Sequence, residues 1–192
     1  SVIGRLVVKF DSGSNWDLPI DSTWDGAGKG GGVPWGSPAL NDYPRIPAKY
    51  LRKQFDTAAG IKRAMVYVTA LGSYELHLNG HKVGNDVLTP GWTDFNKRVE
   101  YQTYDVTKQV RTGQNVIGAI LGDGWYASVL AFTGKQKYYG GNPRLLAQLV
   151  IEHTDGKIDT VATDSSWHAS TGPILYADLM VGCKYDTRLE MP

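Results

Sequence analysis

Apolar residues recur along this chain with a period of two, in short runs separated by turn residues. In "YELHL" (74–78), Tyr74, Leu76 and Leu78 face one way and Glu75 and His77 the other, the alternation of a half-buried strand. The Asn79-Gly80 that follows accepts positive φ at both central positions of a type I′ turn. That turn pairs Leu78 with His81 and His77 with Lys82. "KYLRKQF" (49–55) alternates too, while "IKRAMVYVTAL" (61–71), "NVIGAIL" (115–121) and "LLAQLVIEH" (145–153) are apolar enough for buried strands. "RVEYQTYDV" (98–106) predicts another strand, Asp155-Gly156 turns the chain into "KIDTVAT" (157–163), and a strand-rich tail starts at Ile174. The one plausible helical turn lies in "DVTKQVRTGQN" (105–115). With no amphipathic helix of ordinary length, the pattern predicts an all-β antiparallel sandwich, jelly roll or barrel.

Before this run the texture differs. Residues 1–25 read as a hairpin, "RLVVKF" and "NWDLPI" around Asp11-Ser12-Gly13. Residues 26–47 are rich in Gly and Pro, a linker or irregular wrap. The sandwich itself is expected over 48–192. The first segment also repeats a later one: "LVVKFDSG" (6–13) lies over "LVIEHTDG" (149–156), and "IDSTW" (20–24) over "TDSSW" (163–167), without a gap. By this match residues 1–25 are either the tail of a preceding sandwich or strands added to the edge of the next one, and the expected parent is a longer, multidomain protein.

Composition sharpens the picture in three places. Gly is 23 of 192 residues and aromatics reach 11%, with 6 Trp and 11 Tyr, which suits many turns and exposed ring platforms. The net charge of +1 gives no reason to propose nucleic acid or an anionic membrane as partner. The single cysteine, Cys183, excludes an internal disulfide and has no Cys-x-x-Cys partner, so it reads as a small structural residue. No run approaches the ~20 apolar residues of a membrane helix, "SVIGRL" is not a signal peptide, and the sequence has no Asn-x-Ser/Thr sequon.

The candidate chemistry lies in loops. His77 and His81 are separated by the Asn-Gly turn and lack the helical i, i+4 geometry of a zinc pair. Asp86, Asp94 and Asp123 fall near Trp92 and Trp125. Such carboxylates serve turn geometry, a ligand or calcium ion, or acid–base catalysis, which needs two of them roughly 5–10 Å apart. "TPGWTDF" (89–95) and "LGDGWYASVLAF" (121–132) each set Gly-Trp beside an Asp, and "KYYGGNP" (137–143) adds two tyrosines. Sugars present apolar C–H faces to rings and hydroxyls to acceptors, and such loops offer both. The alternative is that the tryptophans merely plug the open end of the sandwich.

In this order, "KYLRKQF", the stretch from "MVYVTAL" to "LGDGWY", "LLAQLVIEHTDG" and "TDSSWHASTGPILYADLMVGCKYDTRLE" resemble the N-terminal domain of α-L-rhamnosidases of glycoside hydrolase family 78, over about residues 46–190. The resemblance implies a galactose-binding-like jelly roll that is not where hydrolysis occurs. The catalytic α/α barrel would lie further along a parent enzyme, so no catalytic residue is expected here. It further implies a module of the carbohydrate-binding module family 67 type, in which a calcium ion bridges protein and rhamnose hydroxyls, and an extracellular setting. Carried over by position, Asn85 and Asp86 match the calcium-binding pair, with Asn142 and the Pro143 carbonyl from the "QKYYGGNP" loop. The pair reads Asn-Asp here, and Lys137 or Tyr138 stands where an Asn is expected. The sugar site is expected from Asn85, Asp86, Trp92, Asp94, Asp123, Trp125, Tyr126, Tyr139 and Asn142. Three functions follow: a rhamnose-binding module, a structural module packed on a catalytic barrel, or an independent glycosidase using Asp94 and Asp123.

Overall fold

A computed structural model describes residues 45–130 and 136–190 in full, and the backbone of β1 (Gly4–Lys9) and β2 (Asn15–Ile20). The predicted turn at Asp11–Gly13 and most of the Gly/Pro-rich stretch, 26–44, lie outside the described residues. The chain divides into two units, Ser1–Asn41 and Asp42–Pro192.

In the first unit β1 and β2 pair antiparallel, Leu6 with Leu18, Val8 with Trp16 and Lys9 with Asn15. In the second unit, β9 (Arg144–His153) and β10 (Ile158–Ala162) pair Leu149 with Val161, Ile151 with Asp159 and Glu152 with Ile158. Each pair in one hairpin is the other's at the offset of the sequence repeat. The duplication is therefore one of register as well as of letters.

The second unit is a β-sandwich. Strands β3 (Lys49–Thr57), β4 (Ile61–Leu71), β5 (Ser73–Leu78), β6 (His81–Lys82), β7 (Gln102–Asp105) and β8 (Gly113–Gly122) precede β9 and β10. After them come β11 (His168–Thr171), β12 (Ile174–Asp178) and β13 (Gly182–Tyr185). One sheet has the order β10-β9-β4-β7, the other β11-β3-β8-β5-β6, and β12-β13 form a separate ribbon. The inward rows close the core: Ala64, Val66, Val68, Leu149 and Ile151 from the first sheet meet Leu76, Leu78, Ile117 and Leu121 from the second. The Asn-Gly hairpin has the expected register, His77 with Lys82 and Leu78 with His81.

The chain crosses between sheets at Leu71-Gly72-Ser73. Gly72 has φ 137°, and a Cβ there would lie 2.5 Å from the Gly122 carbonyl oxygen and 3.3 Å from Pro143, so only glycine lets β4, β8 and the start of β9 converge. Two local expectations change. The strand expected over 98–106 pairs only at Gln102–Asp105, because the Thr93 hydroxyl and the backbone N–H groups of Lys97 and Arg98 close the preceding segment as turns. Among the described residues the α-helix, α1 (Gly124–Ala127), is a single turn that pattern alone does not reveal. Its Gly124, φ 51°, sits against the Ser73 backbone where no Cβ fits.

Candidate functional site

The Gly-Trp loops meet at one end of the sandwich. The loop after β6 is tied down by reciprocal bonds: the Tyr74 N–H donates to the Thr89 carbonyl at 3.1 Å, and the Thr89 hydroxyl donates to the Tyr74 carbonyl at 3.0 Å. The Gln102 amide donates to the Pro90 carbonyl at 3.2 Å. This anchoring carries Trp92 onto α1, where its ring stacks on that of Trp125 at 4.9 Å between centroids and 7° between planes. The Trp92 indole N–H donates to the Tyr139 hydroxyl at 3.4 Å. Phe95 packs against Tyr126 at 5.6 Å and against Tyr139 at 5.1 Å, and Tyr138 stands edge-on to Tyr139 at 4.8 Å. Six rings from three loops thus form one surface, with Trp92 54% and Tyr138 57% exposed. Gly140 lies where any Cβ would strike the Tyr126 hydroxyl, which explains the Gly in "YYGGNP".

Immediately before α1 stands Asp123, 7% exposed, whose carboxylate accepts no hydrogen bond among the described residues. Burial pushes it up to about 6, and the Asp178 carboxylate adds to the push, while Lys137 and Lys49 oppose it. Asp178 is equally buried but fully engaged, accepting from the N–H groups of Val129, Met180 and Val181, each at 2.9 Å. Its role is to hold the α1 exit against the ribbon, helped by the Ser128 hydroxyl, which accepts from the Leu179 N–H at 3.2 Å. Lys137 takes a left-handed φ of 60°, a conformation in which Asn is favoured. Its N–H donates to the Ala127 carbonyl at 3.1 Å, and its charge acts on Asp123.

The other predicted residues are placed differently. Asn85 and Asp86 are exposed, and the Tyr104 hydroxyl donates to the Asp86 carboxylate at 2.8 Å. Burial and that carboxylate push the Tyr104 phenol up. Asp94 serves its own turn: its carboxylate accepts from the Asn96 N–H at 3.1 Å and pairs with Lys97 at 3.6 Å. Asn142 is exposed and Pro143 buried, the latter against the crossover at Gly72. The structure thus joins Trp92, Trp125 and Tyr139 directly and Tyr126 to them through Phe95, with Asp123 immediately before α1. Sequence reading missed Tyr104 and Asp178, and it quoted Phe95 and Tyr138 within their loop motifs without placing them among the sugar-site residues. Phe95 and Tyr138 had a signal, since each adjoins a predicted residue; Asp178, half a sandwich away in sequence, had none. Among the described residues no three His, Cys, Asp or Glu side chains cluster as a metal site.

Chemically, this end offers a ring surface for apolar C–H faces and a desolvated acceptor beside it. The family described as "Alpha-L-rhamnosidase N-terminal domain" matches residues 59–192. An α-L-rhamnosidase of Streptomyces avermitilis is 45% identical over 174 residues, 88% of this chain and 16% of that protein. The crystal structure of the Streptomyces avermitilis α-L-rhamnosidase complexed with L-rhamnose superposes with a TM-score of 0.75 at 38% identity, covering 97% of this chain and 20% of that one. The native α-L-rhamnosidase of Aspergillus terreus gives a TM-score of 0.75 at 40% identity, covering 77% and 17%. The chain therefore spans about a sixth of the length of the curated relatives it matches, and it belongs to the α-L-rhamnosidase N-terminal domain family.

Proposed function

We propose that this domain is a non-catalytic carbohydrate-binding module that recognises L-rhamnose or a rhamnose-bearing glycan through the aromatic end of the sandwich. One observation carries the reading: an exposed ring surface is centred on the Trp92–Trp125 stack, and two residues before Trp125, at the start of α1, stands a largely buried carboxylate, Asp123, that lacks a donor among the described residues. Leaving such an acceptor unpaired is costly, and a sugar hydroxyl is a donor of the right size. The methyl and C–H face of a 6-deoxy sugar suits the rings. Catalysis by Asp123 is not part of the proposal, because its neighbouring carboxylate, Asp178, is consumed by three backbone donors and cannot act as a second acid or base.

Calcium is a subsidiary proposal. The Asn85 and Asn142 amide oxygens, the Asp86 carboxylate and the Pro143 carbonyl are hard donors, and calcium takes six to eight oxygens, leaving places for water and sugar hydroxyls. Tyr104 occupies one Asp86 oxygen and leaves the other free of partners among the described residues. Lys137 bears on Asp123. Bound there, calcium would supply fixed positive charge for vicinal hydroxyls.

Calorimetric titration with L-rhamnose tests both proposals. A heat of binding with millimolar Kd, about −4 kcal/mol, supports the sugar site, and its loss in EDTA supports calcium. No heat at millimolar sugar sinks the module reading in favour of a structural domain that packs on a catalytic barrel. The 77% exposed Val87 and 51% exposed Leu88 would be buried in that case.

A further inference from the structure

The outer face of the five-stranded sheet carries a second candidate site, built on strands rather than on the aromatic loops. Register aligns His168 with Arg52, Arg52 with Gly118, Gly118 with His77, and His77 with Lys82. Paired residues share a face, and Gly118 and His77 alternate with the buried Ile117, Ala119, Leu76 and Leu78. A transverse row of basic and imidazole side chains therefore faces outward, broken at its middle by a glycine. The gap at Gly118 forms the floor of an open trough of about 660 Å³, walled by Tyr50, Ile120, Arg52, His77 and His168. A smaller cleft of about 180 Å³ opens on the other side of Arg52 and His168. Nor is the glycine idle packing, since a Cβ there would sit 3.0 Å from the Leu51 carbonyl oxygen.

The charges on this row are cancelled at one end only. Glu75 accepts from His77 at 2.8 Å and from Lys82 at 2.9 Å, which settles one end. Arg52 is exposed, and its guanidinium has no hydrogen-bond or ion-pair partner among the described residues. An arginine fork presents two parallel donors that match a carboxylate. Next to it, Tyr50 and Ile120 offer an apolar wall of sugar-ring size.

We propose that this trough binds an acidic sugar, taking the carboxylate of a uronic acid residue on Arg52 and seating its ring over Gly118 against Tyr50 and Ile120. The charge complementarity of an unpaired guanidinium and the missing side chain at the centre of the row together select an anionic ring rather than a neutral one. This site is separate from the loop-end site and does not depend on it.

The probe is a trimer of galacturonic acid, with its fully methyl-esterified form as the neutral control, titrated into the chain at low and high salt. The acid trimer is expected to bind, to weaken as salt rises, and to outbind the ester. Arg52→Gln and Arg52→Glu should each weaken it by about tenfold or more, with circular dichroism unchanged and the response to L-rhamnose unaltered. His168→Ala, at the sheet edge, gives a second variant should either Arg52 change disturb folding. Equal binding of acid and ester, no binding of the acid, or titrations unaffected by all three variants would overturn the proposal. Binding by this chain that disappears in a longer parent protein would also overturn it, and would reassign the trough to contact with an acidic face of a neighbouring domain.

Discussion

The Asn79 side-chain amide donates to the Asn115 carboxamide oxygen at 2.8 Å, tying the β5–β6 turn to the start of β8. Asn115 is 1% exposed, yet all its capacity is used: it accepts from the Arg111 N–H and donates to the Arg111 and Gly113 carbonyls. Asn79, held at φ 53°, returns its own oxygen to the Val116 N–H at 2.9 Å. Such a network is stabilising only while complete. Asn115→Ala strands several buried partners at once and should cost about 3 kcal/mol in urea unfolding; a loss below about 1 kcal/mol would show that water replaces the side chain.

Trp92 is the exposed member of the tryptophan stack. Trp92→Ala should weaken L-rhamnose binding by about tenfold, with little change in unfolding midpoint, because the ring is half in solvent. Trp125→Ala should cost both affinity and stability. If Trp92→Ala leaves the rhamnose isotherm unaltered, the aromatic end is not the sugar platform.

Asp123 makes stability depend on pH in an unusual direction. Its folded pKa of about 6 lies above the ordinary 3.8, so between roughly pH 4 and 6 the unfolded chain gives up its proton while the folded one keeps it. Stability attributable to this group is therefore present at low pH, falls across that window and stays reduced above it. Asp123→Asn should raise stability at pH 7–8 by on the order of 1–2 kcal/mol, after allowing for solvent screening, and the gain should shrink to nothing near pH 4. Thermal melts of both proteins across that range check it. The same change should weaken sugar binding, since it removes the acceptor.

Gly84 couples a backbone constraint to the Asp86 site. It has φ 71°, and a Cβ there would collide with the Tyr104 ring, whose hydroxyl holds Asp86. Gly84→Ala should destabilise by about 1–3 kcal/mol. Tyr104→Phe should leave stability nearly intact and alter the calcium dependence of rhamnose binding. If neither the wild type nor Tyr104→Phe responds to EDTA, Asp86 holds no calcium.

Much of the sandwich was legible because each strand carries its own alternation. Tyr74, Leu76 and Leu78 point inward as their spacing predicts, and the Asn-Gly turn sets the β5–β6 register unaided. The tryptophans were legible as candidates because Gly-Trp-Thr-Asp and Gly-Asp-Gly-Trp are unusual loop chemistry, but their mutual stacking was not. Stacking depends on where Thr89 and Pro90 are anchored on Tyr74 and Gln102, which no local pattern records. Asp123 was legible as an acid and illegible as a buried one, because its neighbour Asp178 comes from a ribbon more than fifty residues away. The transverse row on the outer face was invisible for the same reason. His168, Arg52, Gly118 and His77 belong to four separate strands, and only register makes them a line.

The pairing order of the two sheets also governs how the chain reaches this fold. β4 pairs with β9 from Leu71–Arg144 to Ile61–His153, and β3 with β8 from Thr57–Gly113 to Lys49–Leu121, so both central ladders close over long stretches of chain. Loop-closure entropy is lost before those ladders return anything, which places the sandwich among slow folders. During synthesis, at about 5–20 residues per second, the row Ala64, Val66, Val68 and Ala70 emerges seconds before the β9 strand that will shield its edge. The moment of greatest exposure to misassociation therefore lies on the way out of the ribosome, at the unpaired β4 edge, and shuffling the strand order so that β9 follows β4 directly would shorten it.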